Sequence, residues 1–356
     1  MKRKVLHVIN SMLPGGAEVL LANSLAPGGL CEHTENHLAY FRAPSYLLDK
    51  LDKKVKVHFL DYKGSTDIFR LLHQLKKTII DNKIDIVHTH LNPSGLYTHI
   101  ICPENVLHVH TMHTTYSMNN EQGKIRLWLR KHFFLLKRNV NIILLSDYTR
   151  DDFLSHVDFK GKSFVLNNFV QDIFFDLEKK RHYLPGQEFK MIALGTLKPL
   201  KNFEYLLEVF GHLKGLPVSL DIYGGGNKGH YEKVIQENGL KVRMMGHTQN
   251  LPDIISGYDM LIMPSKFEGF PLSVFEAMAA GLPLMLSDIA PLRSIVHDHA
   301  IYFDLGNAAA VADQVKAVLQ NDIDITVMAV KAKQYAQKTV RRESYIKNLL
   351  DIYSRL

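Results

Sequence analysis

Two glutamates beside a short turn are the residues of this sequence whose types and spacing most clearly indicate chemistry. Glu268 and Glu276 have seven residues between them, within the stretch that runs from Ser265 to Gly281. A carboxylate can accept two hydroxyl hydrogen bonds, so such a pair can hold a ligand. The alternative is that both are ordinary surface glutamates of a helix in an α/β protein.

The residues around the pair predict the elements that position it. Met260-Leu-Ile-Met-Pro264 and Pro283-Leu-Met-Leu-Ser287 are apolar runs typical of buried strands. Pro271 is suited to the first turn of a helix, and Gly281 to the position just past its end. The stretch therefore predicts a strand–helix–strand unit of a parallel sheet. The free N–H groups at the start of its helix can bind phosphate.

A glycine pair follows the first predicted strand. Lys4-Val-Leu-His-Val-Ile-Asn10 reads as a strand and Ala17–Leu25 as a helix, with Gly15 and Gly16 between them. Glycines at this position allow backbone to approach a ligand closely, with a helix N-terminus behind them. By itself the pattern is weak, because such turns are common in α/β proteins.

Strand and helix patterns alternate through both halves of the chain, which predicts an α/β fold of doubly wound sheets. A charged segment, residues 176–188, interrupts the alternation and is interpreted as a linker. We predict an N-terminal domain over residues 1–186 and a C-terminal domain over residues 187–340. The last segment, Val327–Leu356, has a helical pattern.

Composition excludes several classes of protein. A chain of 356 residues is long enough for two cores. No apolar run reaches the roughly 18 residues of a membrane-spanning helix, and the start of the chain enters a strand rather than a signal peptide. Two cysteines, Cys31 and Cys102, give neither a disulfide framework nor a metal-ligand spacing. We therefore expect a cytoplasmic protein.

The net positive charge of the chain comes entirely from its first half. Residues 1–186 carry 25 Lys+Arg and 18 Asp+Glu, a net +7, whereas residues 187–356 carry 18 of each. This excess indicates an anionic partner, and nucleic acid, an anionic membrane and a phosphorylated acceptor are each consistent with it.

The segment Lys124–Arg138 is rich in basic and aromatic residues, with six Lys or Arg, the only Trp of the sequence and two Phe. It is interpreted as a basic amphipathic helix. Such a helix can lie on the inner face of an anionic membrane, or it can pack in the N-terminal domain with its basic face in solvent.

The stretch Glu268-Gly-Phe-Pro…Glu276-Ala-Met-Ala-Ala-Gly-Leu-Pro resembles the E-x7-E signature of GT4-type (glycosyl transferases group 1) glycosyltransferases. Ala290-Pro-Leu-Arg-Ser departs from the family's commoner continuation. The resemblance implies a GT-B fold, with two Rossmann-like doubly wound domains facing across a cleft. Residues 341–356 would then be a helix that crosses back to the N-terminal domain.

The resemblance also implies a retaining, nucleotide-sugar-dependent glycosyltransferase. It would take a UDP- or GDP-sugar as substrate, need no cofactor and bind the donor through its C-terminal domain. Its acceptor would be a saccharide or a lipid-linked one, in bacterial surface polysaccharide or glycolipid synthesis. An epimerase of the same architecture is the first alternative, and a basic nucleic-acid-binding protein the second, although no nucleic-acid-binding signature is present.

By the same resemblance, residues of several loops are assigned to the site. Glu276 would hold the ribose hydroxyls and Glu268 those of the transferred sugar, while Lys201 would neutralise the diphosphate. The family's arginine position is Thr196 here, so Lys198 is a candidate replacement for the missing cation. The remaining predicted donor-binding residues are Gly15, Gly16, Thr196, Gly224, Gly225, Thr248, Gly269, Phe270, Pro271 and Leu272.

Histidines are the other candidates. His113 matches the family's histidine that faces the donor sugar, so the predicted catalytic set is His113, Lys201 and Glu268. His88 and His90 share one face of a strand, but no third Cys, Asp or Glu ligand falls at a recognisable spacing, and no metal site is predicted. Asp322-Ile-Asp324 follows a helix and is interpreted as a turn. The predicted membrane or acceptor surface consists of Arg126, Arg130, Lys131 and Lys137.

Overall fold

The structure, a computed structural model, describes residues 2–116, 140–178, 180–181, 183–184, 186–248 and 250–356. It divides into two units. The first comprises Met1–Phe169 and Arg342–Leu356, and the second Val170–Arg341. None of the helices in the described part of the chain is long and apolar enough to cross a bilayer.

A parallel sheet forms the centre of the first unit, and its strand order is β3-β2-β1-β4-β5-β6-β7. The strands are β1 Lys4–Ser11, β2 Glu35–Arg42, β3 Lys56–Phe59, β4 Ile86–His90, β5 Leu107–Met112, β6 Val140–Leu144 and β7 Ser163–Val165. The helices described in this unit are α1 Gly16–Ser24, α2 Ile68–Asp81, α3 Ser94–Ile101, α4 Asp147–His156 and, at the end of the chain, α12 Arg342–Arg355.

The second unit has a parallel sheet with the order β10-β9-β8-β11-β12-β13. Its strands are β8 Phe189–Leu194, β9 Val218–Tyr223, β10 Val242–Gly246, β11 Met260–Met263, β12 Leu284–Ser287 and β13 Ile301–Phe303. Its helices are α5 Phe203–Gly211, α6 Gly229–Asn238, α7 Leu251–Ile255, α8 Leu272–Ala279, α9 Ala290–Val296, α10 Ala308–Leu319 and α11 Ile325–Thr339. Both orders place a topological switch beside the first strand, which confirms the predicted doubly wound α/β class.

The division between the units falls after Phe169, whereas the predicted boundary followed residue 186. The residues that follow Phe169 belong to the second unit because their side chains pack against it or form hydrogen bonds with it. Phe174 and Phe175 are buried, and Arg181 Nε donates to Asp259 Oδ2 over 2.8 Å. The charged composition of this segment indicated a linker, although part of it packs against the second sheet.

The helical pattern of Val327–Leu356 is divided into two helices. α11 ends at Thr339 and α12 begins at Arg342. The interruption exists because Arg341 pairs with Val170 as an isolated bridge, and the Val170 N–H donates to the Val340 carbonyl over 2.9 Å. α12 then packs on the first sheet, where Leu349, Ile352 and Tyr353 are buried.

Candidate active site

A lysine, a serine and a glutamate are hydrogen-bonded at the carboxyl edge of the second sheet, where open α/β sheets bind ligands. Glu268 is buried in the loop between β11 and α8. Its Oε1 accepts from Lys201 Nζ over 2.6 Å and from Ser265 Oγ over 2.5 Å. Within the described part of the chain, Glu268 Oε2 receives no protein donor. The cluster therefore offers a ligand a carboxylate oxygen beside an ammonium group.

Two loops bring these groups together. Lys201 ends a 3-10 turn, Pro199–Lys201, that follows β8. Its stem crosses Gly195, whose φ is +152° and where an added Cβ would lie 3.2 Å from the Lys201 Cδ and Cε atoms. The Lys266 N–H donates to the Leu200 carbonyl over 2.9 Å, which ties this loop to the one that carries Glu268.

Glu276 lies on α8, one helix turn and more beyond the Glu268 loop. Pro271 is the N-cap of α8, and Gly281, with φ +77°, follows its C-cap. The Gly281 N–H donates to Met278 O and the Leu282 N–H to Ala277 O, the pattern of a Schellman motif. Burial raises the pKa of Glu276 from 4.5 to about 7. Hydroxyl groups of a ligand that donate hydrogen bonds to this carboxyl would stabilise its ionised form.

Glycines join the loops after β8, β9 and β10. A Cβ on Gly224 would lie 1.7 Å from the Gly195 carbonyl oxygen, so only glycine permits this approach. The Leu197 N–H donates to Gly225 O over 2.9 Å, and the Gly224 N–H to Gly246 O over 2.8 Å. The glycine-rich turn therefore holds three adjacent loops in one arrangement.

The two glycines of this turn make a matched pair for mutation. Gly224→Ala is expected to destabilise the protein by about 1–3 kcal/mol, because its Cβ cannot be accommodated against backbone. Gly225→Ala is expected to change stability by less than about 0.5 kcal/mol, since no atom lies within 4 Å of its Cβ position. Urea unfolding monitored by fluorescence measures both. Equal destabilisation of the two variants would contradict the role assigned to Gly224.

In the first unit, Gly15 and Gly16 form the junction between β1 and α1. Gly15 is the N-cap of α1 in an extended conformation, and Gly16 is the first helical residue. The Glu18 carboxylate lies over this turn, 2.5 Å from where a Gly15 Cβ would be. Burial raises the Glu18 pKa. Gly15 and Gly16 contribute only backbone to this turn, and the Glu18 carboxylate is the side chain that lies against it.

Four histidines, His7 on β1, His88 and His90 on β4 and His113 just past β5, form a cluster in the first unit. His90 Nδ1 lies 3.3 Å from His113 Nε2, and His90 Nε2 lies 3.4 Å from His7 Nδ1. The His88 and His90 ring centroids are 4.2 Å apart. Burial lowers the pKa of His7 and of His113 to about 4, and it lowers those of His88 and His90 well below 6.5. All four rings are therefore neutral at pH 7.

Comparison with protein families accounts for nearly the whole chain. The model described as Glycosyltransferase Family 4 matches residues 7–172, and that described as Glycosyl transferases group 1 matches residues 174–339. The chain is a GT4-type glycosyltransferase. The family predicted from the glutamate pair is thereby confirmed.

Individual relatives agree with this membership. The putative glycosyltransferase EpsF of Bacillus subtilis is 23% identical over 308 residues, which cover 81% of this chain and 79% of EpsF. The UDP-Gal:alpha-D-GlcNAc-diphosphoundecaprenol alpha-1,3-galactosyltransferase of Escherichia coli is 26% identical over 276 residues, covering 68% and 69%.

Solved structures agree on the fold. Anabaena Alr3699/HepE in complex with UDP and glucose has a TM-score of 0.81 at 16% identity, over 99% of this chain and 100% of HepE. A glycosyltransferase from Rickettsia africae has a TM-score of 0.81, also at 16% identity, over 99% and 98%. The GT-B fold of this glycosyltransferase is therefore confirmed.

Apart from Gly15 and Gly16, the predicted donor residues of the glycosyltransferase lie in the second unit. Lys201 and Glu268 are in direct contact, whereas Thr196 and Lys198 are exposed in the loop after β8. Thr248, just past β10, accepts the Asn250 N–H at its Oγ1. The assignment of these residues to a donor remains a prediction.

Sequence spacing missed two members of these clusters. Ser265 lies two residues past the end of β11, and the sequence alone does not show its bond to Glu268. His7 supplies the third ring beside His88 and His90, with ligand atoms of the three within 4.8 Å of one another. Spacing along the sequence did not indicate His7, because His7 lies on the neighbouring strand β1 and the sequence has no third Cys, Asp or Glu at a recognisable spacing.

The remaining predicted features are local. Asp324 Oδ1 accepts the Thr326 and Val327 N–H groups and so caps α11, as expected of a turn. The departure from the family pattern at residues 290–294 includes Arg293, which donates two hydrogen bonds to Asp288. The predicted surface of Arg126, Arg130, Lys131 and Lys137 lies outside the described residues.

Proposed function

We propose that this glycosyltransferase transfers a sugar from a nucleotide-sugar donor to a saccharide or lipid-linked acceptor with retention of configuration, in bacterial surface polysaccharide or glycolipid synthesis. The observation that carries the proposal is the contact between Lys201 and Glu268 at the carboxyl edge of the second sheet. A carboxylate for hydroxyls and a cation for diphosphate lie side by side there, as transfer from a nucleotide sugar requires.

Each group of the site has a part in this reaction. Glu276 accepts hydrogen bonds from the ribose hydroxyls, and Glu268 accepts them from the transferred sugar through its Oε2. Lys201 neutralises the charge that develops on the diphosphate as the sugar–oxygen bond breaks, which lowers the barrier. The acceptor hydroxyl attacks from the face that the diphosphate leaves, so no protein nucleophile is required. His113 is assigned to the sugar by the family resemblance alone, and no step is assigned to a metal.

Relatives support the donor and acceptor classes. The Escherichia coli relative is by name a UDP-galactose-dependent enzyme that acts on a diphosphoundecaprenol-linked sugar. The Anabaena neighbour was solved with UDP-glucose, and a Staphylococcus aureus relative is named a poly(ribitol-phosphate) alpha-N-acetylglucosaminyltransferase. We accordingly favour a UDP-sugar over a GDP-sugar, and a polymer or lipid-linked saccharide as acceptor.

The donor proposal is tested by thermal unfolding with UDP-glucose, UDP-galactose, UDP-N-acetylglucosamine, GDP-mannose and ADP-glucose. A ligand present at a hundred times its Kd stabilises the folded protein by about 2.7 kcal/mol, so the true donor class raises Tm clearly. No shift with any nucleotide sugar contradicts the proposal. Epimerisation of the donor without acceptor, followed by NMR, would instead favour the epimerase alternative.

A lipid-linked acceptor brings the enzyme to an anionic membrane, and we place it at the cytoplasmic face. The basic residues of Lys124–Arg138 would provide the contact, since each cation near such a surface contributes about 1 kcal/mol. Changing Arg126, Arg130, Lys131 and Lys137 together to Gln is expected to abolish co-sedimentation with anionic vesicles. Salt is expected to release the wild type in the same way. Equal sedimentation of wild type and variant would contradict the contact.

A further inference from the structure

A line of four side chains crosses the first sheet and ends at His113. Asn36 Oδ1 lies 3.3 Å from His7 Nε2, His7 Nδ1 lies 3.4 Å from His90 Nε2, and His90 Nδ1 lies 3.3 Å from His113 Nε2. The residues come from β2, β1, β4 and the end of β5, which are four consecutive strands of the sheet. Each ring is joined to the next, so the proton positions of all three imidazoles are linked.

The Asn36 amide gives this line a direction. Its Nδ2 donates to the Thr34 carbonyl over 3.1 Å, and a carbonyl can only accept. The Oδ1 atom is thereby turned towards His7, where it too can only accept. Asn36 is buried, as are His7 and His90, so no solvent competes for these positions. His7 must therefore donate from its Nε2.

The remaining protons follow from the neutrality of the rings. A neutral imidazole has one N–H and one lone pair. With its proton on Nε2, His7 accepts at Nδ1 from the His90 Nε2–H. His90 then accepts at its own Nδ1 from the His113 Nε2–H. The sequence of bonds leaves the His113 Nδ1 with a lone pair.

We propose that Asn36 is a positioning residue that acts through His7 and His90 to hold His113 as the Nε2–H tautomer, with Nδ1 as the acceptor for a hydroxyl of the sugar substrate. The identity of the ligand as a sugar rests on the proposed function, whereas the tautomer of His113 does not depend on any substrate. A neutral acceptor at this position binds a hydroxyl group, whereas an imidazolium would bind phosphate.

A bound metal ion is the competing explanation for the cluster of His7, His88 and His90. An ion between His7 and His90 needs lone pairs on both facing nitrogens, which the tautomers above exclude. His88 also has both ring nitrogens occupied, since Nδ1 lies 2.7 Å from Tyr353 Oη and Nε2 lies 2.7 Å from Thr111 Oγ1. The hydrogen-bonded arrangement is therefore favoured, and metal content becomes an outcome of the test.

The test reads the tautomer directly by NMR of protein labelled with 15N-histidine, without any sugar present. The His113 signals are assigned by their loss in His113→Gln. We expect the wild-type His113 to carry its proton on Nε2 and to have an unprotonated Nδ1. Asn36→Leu removes the orienting amide, so His113 is expected to become a mixture of tautomers. Hydrolysis of UDP-glucose by this variant is expected to fall about tenfold, with a smaller change in KM.

Asn141→Leu is the matched control. Asn141 is a partly buried asparagine on β6 that bonds to the His108 carbonyl and lies outside the line. This variant is expected to leave the His113 tautomer unchanged. A proton on Nδ1 of wild-type His113, an unchanged tautomer in Asn36→Leu, or one equivalent of a transition metal in the purified protein would each overturn the proposal. A correct tautomer in a protein that binds no nucleotide sugar would instead contradict the proposed function.

Discussion

Lys201→Ala is expected to lower kcat about 10²–10³-fold and to raise the KM for the donor much less. The reason is that the negative charge of the leaving diphosphate develops mainly in the transition state, where a cation contributes most. In the structure, the Lys201 ammonium is held 2.6 Å from the Glu268 carboxylate and its stem lies across Gly195. Steady-state kinetics of UDP release from the preferred donor measures both constants.

Lys198→Ala is the matched control for Lys201→Ala, because Lys198 is an exposed lysine of the same loop. A loss of activity below about threefold is expected if Lys198 is an ordinary solvated lysine. A loss as large as that of Lys201 would show that Lys198 replaces the cation missing at Thr196. Activity that disappears in EDTA and returns with manganese would contradict the neutralising role assigned to Lys201.

Glu276→Gln is expected to make the unliganded protein more stable at pH 8 by about 1–3 kcal/mol. Burial raises the Glu276 pKa to about 7, so the folded state binds this proton more tightly than the unfolded state. Ionisation of Glu276 therefore lowers the free energy of unfolding. This loss is absent below pH 4.5, the pKa in the unfolded state, grows as the pH rises and is complete above about 7, the pKa in the folded state. Glutamine has no proton to lose, and the variant avoids this cost.

Urea unfolding at pH 5 and pH 8 tests this expectation, with the difference between wild type and variant larger at pH 8. Glu237→Gln, at an exposed position on α6, is the matched control and is expected to change stability little at either pH. The gain of Glu276→Gln should be accompanied by weaker donor binding. An equal difference between wild type and Glu276→Gln at both pH values would contradict the raised pKa.

Features that depend on local sequence were predicted well. Met260–Met263 and Leu284–Ser287 are strands because their apolar runs are short and continuous, and Pro271 and Gly281 delimit the helix between them. The pattern of the first strand and of the turn at Gly15 and Gly16 was read correctly for the same reason. Such signals act within a few residues, so one sequence contains them.

Features that depend on contacts across the chain were not predicted. His7 is 83 residues from His90, and only the pairing of β1 with β4 brings their rings together. The bond between Lys201 and Glu268 was not predicted, although the resemblance identified each residue. The three-residue strands β7 and β13 are too short to give a periodic pattern. The place where α11 ends is set by the pairing of Arg341 with Val170.

The most direct test of the donor site is calorimetric titration of UDP-glucose into wild type, Glu276→Gln and Glu237→Gln at pH 8. Hydrogen bonds to a charged group contribute about 1.5–3 kcal/mol each, so we expect at least tenfold weaker binding for Glu276→Gln. Glu237→Gln should bind as wild type does. For wild type, affinity should rise between pH 6 and pH 8, because the ionised carboxylate is the better acceptor for ribose hydroxyls. Unchanged affinity in a folded Glu276→Gln variant would contradict a donor site built on α8.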